Sequence, residues 1–325
     1  MNFKCLSLFI VITLINILSL KGQSKNRATA AEEISLMIGS LQSRLTEDYF
    51  DKKKGSYLVE QLTKMVKKKA FVGLSSIDAA RKVTDFLCEQ TGDKHFSVSA
   101  GRRFAEVKSD VKSIPQSISG FSKVSIFEDN VGYIKWDLCI AGDKAFGAIR
   151  KILDSLSDCK TLIFDISDNP GGDGASSAFI NQFLYRSKDY QTILRKKCNN
   201  EKDWHQSEVI FNYSEGPKFF DTPIYIITSQ KTFSAAEYFA FTAKKMKRAI
   251  ILGETTAGAG NPGTSTGVAL PNSDTIFWMF IPNCQIQSYD GDSIEGNGVK
   301  PDIKLESKNL LNEAFNYIGV KHKPN

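Results

Sequence analysis

Between residues 31 and 88 apolar side chains recur at three- and four-residue spacing. Ile34, Met37, Ile38, Leu41 and Leu45 make one stripe, and Leu58, Leu62, Met65 and Val66 make a second. That period predicts amphipathic helices. A third helix is expected after Ser75, with Ile77, Ala80, Val83, Phe86 and Leu87 on its inner face, and Gly55 and Gly73 punctuate the three. Beyond Gly101 the pattern changes. VGYIKWDL (131–138) reads as a strand and 146–156 as a helix. TLIFDI (161–166) is a fully apolar strand that runs into a glycine-rich turn and a helix over 175–185. Further strand-like runs cover 191–195, 208–213, PIYIIT (223–228) and AIIL (249–252), with a helix beginning at Ser234 between the last two. IFWMFIP (276–282) is expected to close the sheet, and 309–317 to form a terminal helix. Strands alternating with helices predict an α/β core with largely parallel pairing. The chain divides into a helical subdomain over 24–99 and an α/β core over 100–325.

The first residues add a different signal. Lys4 precedes an apolar run over 6–20, and small or polar residues follow it. Fifteen residues fall short of the about 20 that cross a bilayer, so the pattern predicts a secretory signal peptide over 1–23. An uncleaved amino-terminal anchor is the alternative. Cys5 lies before the apolar run, so it is not placed as a lipid-modified cysteine after it. No other segment is expected to span a membrane.

With 42% apolar and 24% charged residues the chain has the means for an ordinary globular core. The net charge of +6 is dispersed except at Lys52–Lys54 and Lys67–Lys69, which read as solvated helix ends. No aromatic-basic interleaving marks a nucleic-acid surface. The five cysteines after the leader, Cys88, Cys139, Cys159, Cys198 and Cys284, form no CxxC pair; a secreted location permits one or two disulfides of open pairing. Three histidines, none spaced like zinc ligands, leave no metal or organic cofactor expected.

Four loops hold the candidate chemistry. TSQKTFSAAE (228–237) leads from a buried strand to a helix whose first turn carries Ser234. A serine there lies beside unpaired backbone N–H groups, the geometry an acyl-transfer nucleophile needs. Ser234 and Glu237 also fit a capping box, and both readings stand. DISDNPGGD (165–173) sets Gly171 and Gly172 at a strand end, where backbone N–H groups can approach a ligand closely. GETTAGAGNPG (253–263) is a second flexible strand-end loop. GDKHFSV (92–98) supplies His95, the best general base because His205 sits in a polar loop and His322 in the basic tail. IEGNGVKPDI (294–303) presents Glu295 in a tight glycine turn, as an orienting carboxylate or an exposed turn acid.

NPGG, FSAAE and GETTAG, in that order behind strands, resemble the carboxyl-terminal processing (tail-specific) serine protease family. DKHF and EGNGVKPDI are similar to the branch of tricorn-core proteases and interphotoreceptor retinoid-binding protein modules. The resemblance implies an α/β, spiral β-β-α (crotonase/ClpP-like) core behind an amino-terminal helical subdomain. No PDZ domain is expected, since only about 35 residues separate DKHF from VGYIKW. It also implies a Ser-His-Glu catalytic set of Ser234, His95 and Glu295. The oxyanion hole would come from the N–H of Ala235 and one of Gly171 or Gly172. The substrate would be a peptide or protein. Three positions depart from the family pattern. Ala259 stands where processing proteases carry a lysine base, excluding a Ser-Lys dyad. Asp168 stands where an arginine often precedes NPGG. Lys94 replaces the serine that directly precedes the histidine in the tricorn type. The competing reading is a binding module for peptides or hydrophobic ligands on the same fold.

Overall fold

The computed structural model describes residues 27–103, 118–186, 189, 193–207, 215–306 and 309–319. The expected signal peptide and the expected strand over 208–213 lie outside them. In chain order, helices α1 (Ala30–Glu47), α2 (Lys52–Lys67) and α3 (Ser76–Thr91) precede strands β1 (Ser97–Arg102), β2 (Phe121–Phe127) and β3 (Val131–Trp136). Helix α4 (Asp143–Ser155), β4 (Thr161–Asp165), α5 (Ala175–Leu184), β5 (Leu194–Cys198) and β6 (His205–Gln206) follow. Then come β7 (Ile224–Thr228), α6 (Ala235–Lys245), β8 (Ile250–Gly253), β9 (Gly263–Val268) and β10 (Thr275–Pro282). The described chain closes with β11 (Cys284–Ser288), β12 (Ile303–Lys304) and α7 (Leu310–Ile318).

The first three helices begin where their capping residues dictate. Thr29, Asp51 and Ser75 accept from the backbone N–H of Glu32, Lys54 and Asp78, three residues on. Helix α3 stops at Gly92, which takes the left-handed conformation (φ 76°) and turns the chain toward His95.

The central sheet has six strands in the order β12-β8-β7-β4-β3-β2, parallel except for the β2–β3 pair. Its inner strands β3, β4, β7 and β8 are largely apolar on both faces because both are covered. On one face Ile134, Trp136, Leu162, Phe164, Ile226 and Ile251 pack against α4, α5 and α6. On the other, Tyr133, Ile163, Ile227 and Leu252 pack against Phe315 and Ala314 of α7.

Strand β10 corrects one expectation. The apolar run over 276–282 does not close the central sheet but lies in a separate antiparallel sheet of order β1-β10-β9. Phe277, Met279 and Ile281 alternate inward and share a core with Met37, Leu41, Leu58 and Leu87 of the three helices. The helical layer needed an apolar sheet face, and β10 supplies it. A third small sheet, β11-β5-β6, is clipped by a disulfide between Cys198 and Cys284, directly paired across β5 and β11. Strand β5 begins at Leu194, and positions 191 and 192 of the expected run over 191–195 lie outside the described residues. The remaining described cysteines, Cys88, Cys139 and Cys159, are free thiols.

Candidate active site

The parallel neighbours β4, β7 and β8 end side by side, with Asp165 paired to Ile227 and Thr228 to Gly253. Their following loops must therefore emerge together at the carboxyl edge of the sheet, where open α/β folds bind ligands. Side chains and backbone stitch these loops to each other. Thr232 Oγ1 donates to the Ile166 carbonyl (2.8 Å), Phe233 N–H to the Asn169 carbonyl (3.0 Å), and Ala257 N–H to the Thr232 carbonyl (3.0 Å). Gly171 packs directly under the serine. A Cβ there would lie 2.7 Å from the Phe233 carbonyl oxygen and 2.9 Å from Ser234 Cβ, and its φ is +93°, so only glycine fits.

Ser234 itself is held at φ 53°, ψ −120°, a conformation costly for a residue with a side chain and one that gathers at functional turns. Helix α6 starts one residue later than expected, at Ala235. Ser234 and Glu237 form the capping box that the sequence predicts, and Ser234 Oγ also lies 3.0 Å from His95 Nε2. Glu237 does take the helix-end role that the sequence assigned it, with Oε2 accepting from Ser234 N–H (2.9 Å). It also does more. Fully buried, it accepts from Gly258 N–H (2.7 Å), Ala259 N–H (2.9 Å) and Thr256 Oγ1, joining the β8 loop to the serine. Burial pushes its acidity down, raising its pKa, while these four donors act in the opposite direction.

His95 sits between α3 and β1, only 8% exposed, stacked on Phe280 and tilted against Phe233. Those rings present Nε2 to Ser234 and leave Nδ1 facing two carboxylates. Glu295 reaches this place from the turn after β11, its Oε2 accepting from Gly260 N–H (2.7 Å) and Asn261 N–H (3.1 Å). Its pKa is pushed up to about 7, by burial first and then by the charge of Asp93; the backbone donors and His95 pull the other way. Asp93 is the residue that sequence reasoning passed over. Its Oδ1 is 3.7 Å from His95 Nδ1, and the ligand atoms of Asp93, His95 and Glu295 all lie within 4.8 Å of one another. The only signal for it was its position two before the histidine. These three groups could in principle take a divalent cation, but an ion there would occupy Nδ1 and fix the imidazole in a form unable to accept a proton at Nε2.

The candidate oxyanion donors separate. Gly171 N–H is taken by Asn169 Oδ1 (2.8 Å). Among the described residues no protein acceptor receives the N–H of Gly172 or Ala235. Both line a cavity of about 290 Å³ beside Ser234 and His95, walled by Ala178, Leu194, Tyr238, Pro262 and Ile286. Among the described residues no lysine, arginine or carboxylate lines it. A larger cavity of about 740 Å³ lies on the helical layer between α1, α2 and the 69–74 segment, away from every candidate group. Asp168 is neutralised by Lys135 (2.8 Å) and Lys231 (3.0 Å), with Lys135 foremost in holding its pKa down. Lys94 turns its ammonium to the Ala257 carbonyl (2.5 Å), and Ala259 is fully buried with its N–H on Glu237. His205 lies exposed on β6, and His322 falls outside the described residues.

The model of peptidase family S41 matches residues 130–305, more than half of the chain. The chain belongs to peptidase family S41. The match spans the three strand-end loops, Ser234 and Glu295, and leaves Asp93 and His95 ahead of it. An uncharacterised protein of Chlamydia muridarum (strain MoPn / Nigg) is 33% identical over 86 residues, which are 26% of this chain and 14% of that protein. The chain thus matches a small part of that relative's length. Among solved structures, a lipoprotein from Streptococcus agalactiae superposes with a TM-score of 0.59 at 17% identity, covering 88% of this chain and 96% of that one. The tricorn protease superposes with a TM-score of 0.57 at 13% identity, covering 90% of this chain and 37% of that one. At such identities these neighbours establish the S41 fold, and the family places the chain among serine-type peptidases. No described helix is long and apolar enough to cross a membrane.

Proposed function

We propose that this S41 chain is a secreted or periplasmic serine endopeptidase, exported by a signal peptide over 1–23, with the helical subdomain over 24–99 preceding its catalytic core. Ser234 is the nucleophile, His95 its base and Glu295 a carboxylate that steadies the imidazolium. The observation that carries this reading is the 3.0 Å contact between Ser234 Oγ and His95 Nε2, made from a strained backbone beside two unpaired N–H groups. In the forward step Oγ bonds to the scissile carbonyl carbon as its proton passes to Nε2. The carbonyl oxygen, now negative, is met by the N–H groups of Gly172 and Ala235. Nε2 then returns the proton to the departing amine, the C–N bond breaks, and water repeats the sequence on the acyl-enzyme. The apolar cavity suits an uncharged side chain on the acyl side of the cut.

A fluorophosphonate probe tests this reading together with cleavage of a peptide library. Wild type should label at Ser234 and cut after apolar residues, and Ser234→Ala should do neither. Tight binding of peptides or hydrophobic ligands with no labelling and no cleavage would place the chain among binding modules instead.

A further inference from the structure

We propose that Asp93 is a second carboxylate partner of His95, so that Asp93 and Glu295 together hold the imidazolium through Nδ1 while Ser234 attacks. The inference rests on the Ser-His reading above and adds a positioning residue to it.

The first observation is an orphan. His95 Nδ1 is buried and has no hydrogen-bond partner, although buried polar atoms are almost always paired. The nearest acidic oxygen is Asp93 Oδ1, at 3.7 Å. A shift of under about 1 Å would bring that contact to hydrogen-bond length, a tightening expected when charge develops on the ring.

The second observation is that Asp93 is built in place. The left-handed Gly92 aims it inward, and it is only 3% exposed. Its N–H donates to Thr91 Oγ1 (3.1 Å), its Oδ1 accepts from His95 N–H (2.8 Å) and its Oδ2 from Asn261 Nδ2 (2.9 Å). A buried carboxylate is costly unless donors or a positive charge meet it. Two donors do so at rest, and the imidazolium would be the third.

The third observation concerns Glu295. Its Oε2 is committed to two backbone donors, and no ion pair within 4.0 Å joins it to His95, whereas Asp93 makes one. Asp93 is therefore the carboxylate nearest the ring, and its charge, after burial, is what raises the Glu295 pKa. Other groups around the ring do not compete. Lys94 is turned to the Ala257 carbonyl, Glu237 serves the β8 loop, and the Tyr49 phenol is held neutral by burial and by these same carboxylates. Phe233 and Phe280 carry no charge. Throughout the reaction the Nδ1 proton stays on the ring and neither carboxylate takes it.

The test compares Asp93→Asn, Glu295→Gln and the double variant in peptide hydrolysis, with thermal melts to confirm folding. Each single variant keeps one carboxylate and should lose about tenfold in kcat; the double should lose on the order of 10⁴, as when a triad acid is removed. A second readout does not depend on turnover. The chain has three histidines, so a low-field Nδ1–H resonance of protonated His95 can be assigned with His95→Ala. It should persist in both single variants and vanish in the double. A double variant no worse than Glu295→Gln in rate, with the resonance retained, would overturn the proposal. So would full recovery in Asp93→Asn/Asn261→Asp, which restores the hydrogen bond between these positions and would reduce Asp93 to a structural tie. If wild type neither labels nor cleaves, the peptidase reading fails while the resonance still decides the role of Asp93.

Discussion

At the scale of single residues, Ser234 serves two ends at once. A serine followed three residues later by glutamate predicts a cap, and removing a cap costs about 0.5–2 kcal/mol. The capping box forms, and the hydroxyl also lies 3.0 Å from His95 Nε2. Ser234→Ala should therefore abolish hydrolysis and lower stability by about 0.5–2 kcal/mol. Denaturant melts beside peptide cleavage check both halves. Glu295 makes a prediction of opposite character. Its folded-state pKa is raised from 4.5 to about 7, so ionising it opposes folding. Its contribution is whole below about pH 4.5 and is lost as the pH rises toward 7. Glu295→Gln should accordingly gain stability relative to wild type across that window. Melting temperatures of the pair at both ends of the window would show it, and a constant difference would contradict the shift.

At the scale of elements, the three strand-end loops act as one piece, and Glu237 is the pin. It touches no substrate in the mechanism above, yet four donors from two segments converge on it. Glu237→Ala strands buried N–H groups at Ser234, Gly258 and Ala259, at about 1–3 kcal/mol for each group left unsatisfied. We expect destabilisation of at least about 3 kcal/mol and a large fall in kcat, measured by urea melts and by turnover on the fraction still folded. The sequence reading, in which Glu237 serves only the helix end, expects substantial catalysis to survive. Gly171→Ala should behave similarly, because the added methyl meets the Phe233 carbonyl and Ser234 Cβ in a backbone conformation that alanine resists.

At the scale of the whole molecule, the disulfide ties β5 to β11, and both strands wall the cavity beside Ser234 through Leu194 and Ile286. It closes a segment whose ends are 86 residues apart, for which loop-closure entropy predicts stabilisation of about 4–5 kcal/mol. Reduction under native conditions should lower the melting temperature by several degrees, and Cys198→Ala/Cys284→Ala should reproduce the shift. Chelators give a second check. The proposed mechanism routes no proton or electron pair through a metal, so EDTA should leave peptide cleavage unchanged; loss restored by zinc would contradict it.

The periods of the chain determined the three helices and the alternation of strands and helices, because periodicity is a local property; Ser234, His95 and Glu295 were candidates from their loops and from the family resemblance. NPGG, FSAAE and GETTAG in order were enough to reach the S41 fold. Three things waited for the tertiary structure. Strand β10 could not be assigned to its sheet from an apolar run alone, since the run fits any buried strand, and only the unfilled face of the helical layer decided its partner. Gly171 and Gly172 were equivalent as sequence, and the Asn169 side chain distinguished them by taking one N–H. Asp93 went unnoticed until folding placed residues 93, 261 and 295, distant along the chain, around one imidazole. Side-chain chemistry is written in the sequence, but which groups share a buried space is fixed by long-range packing.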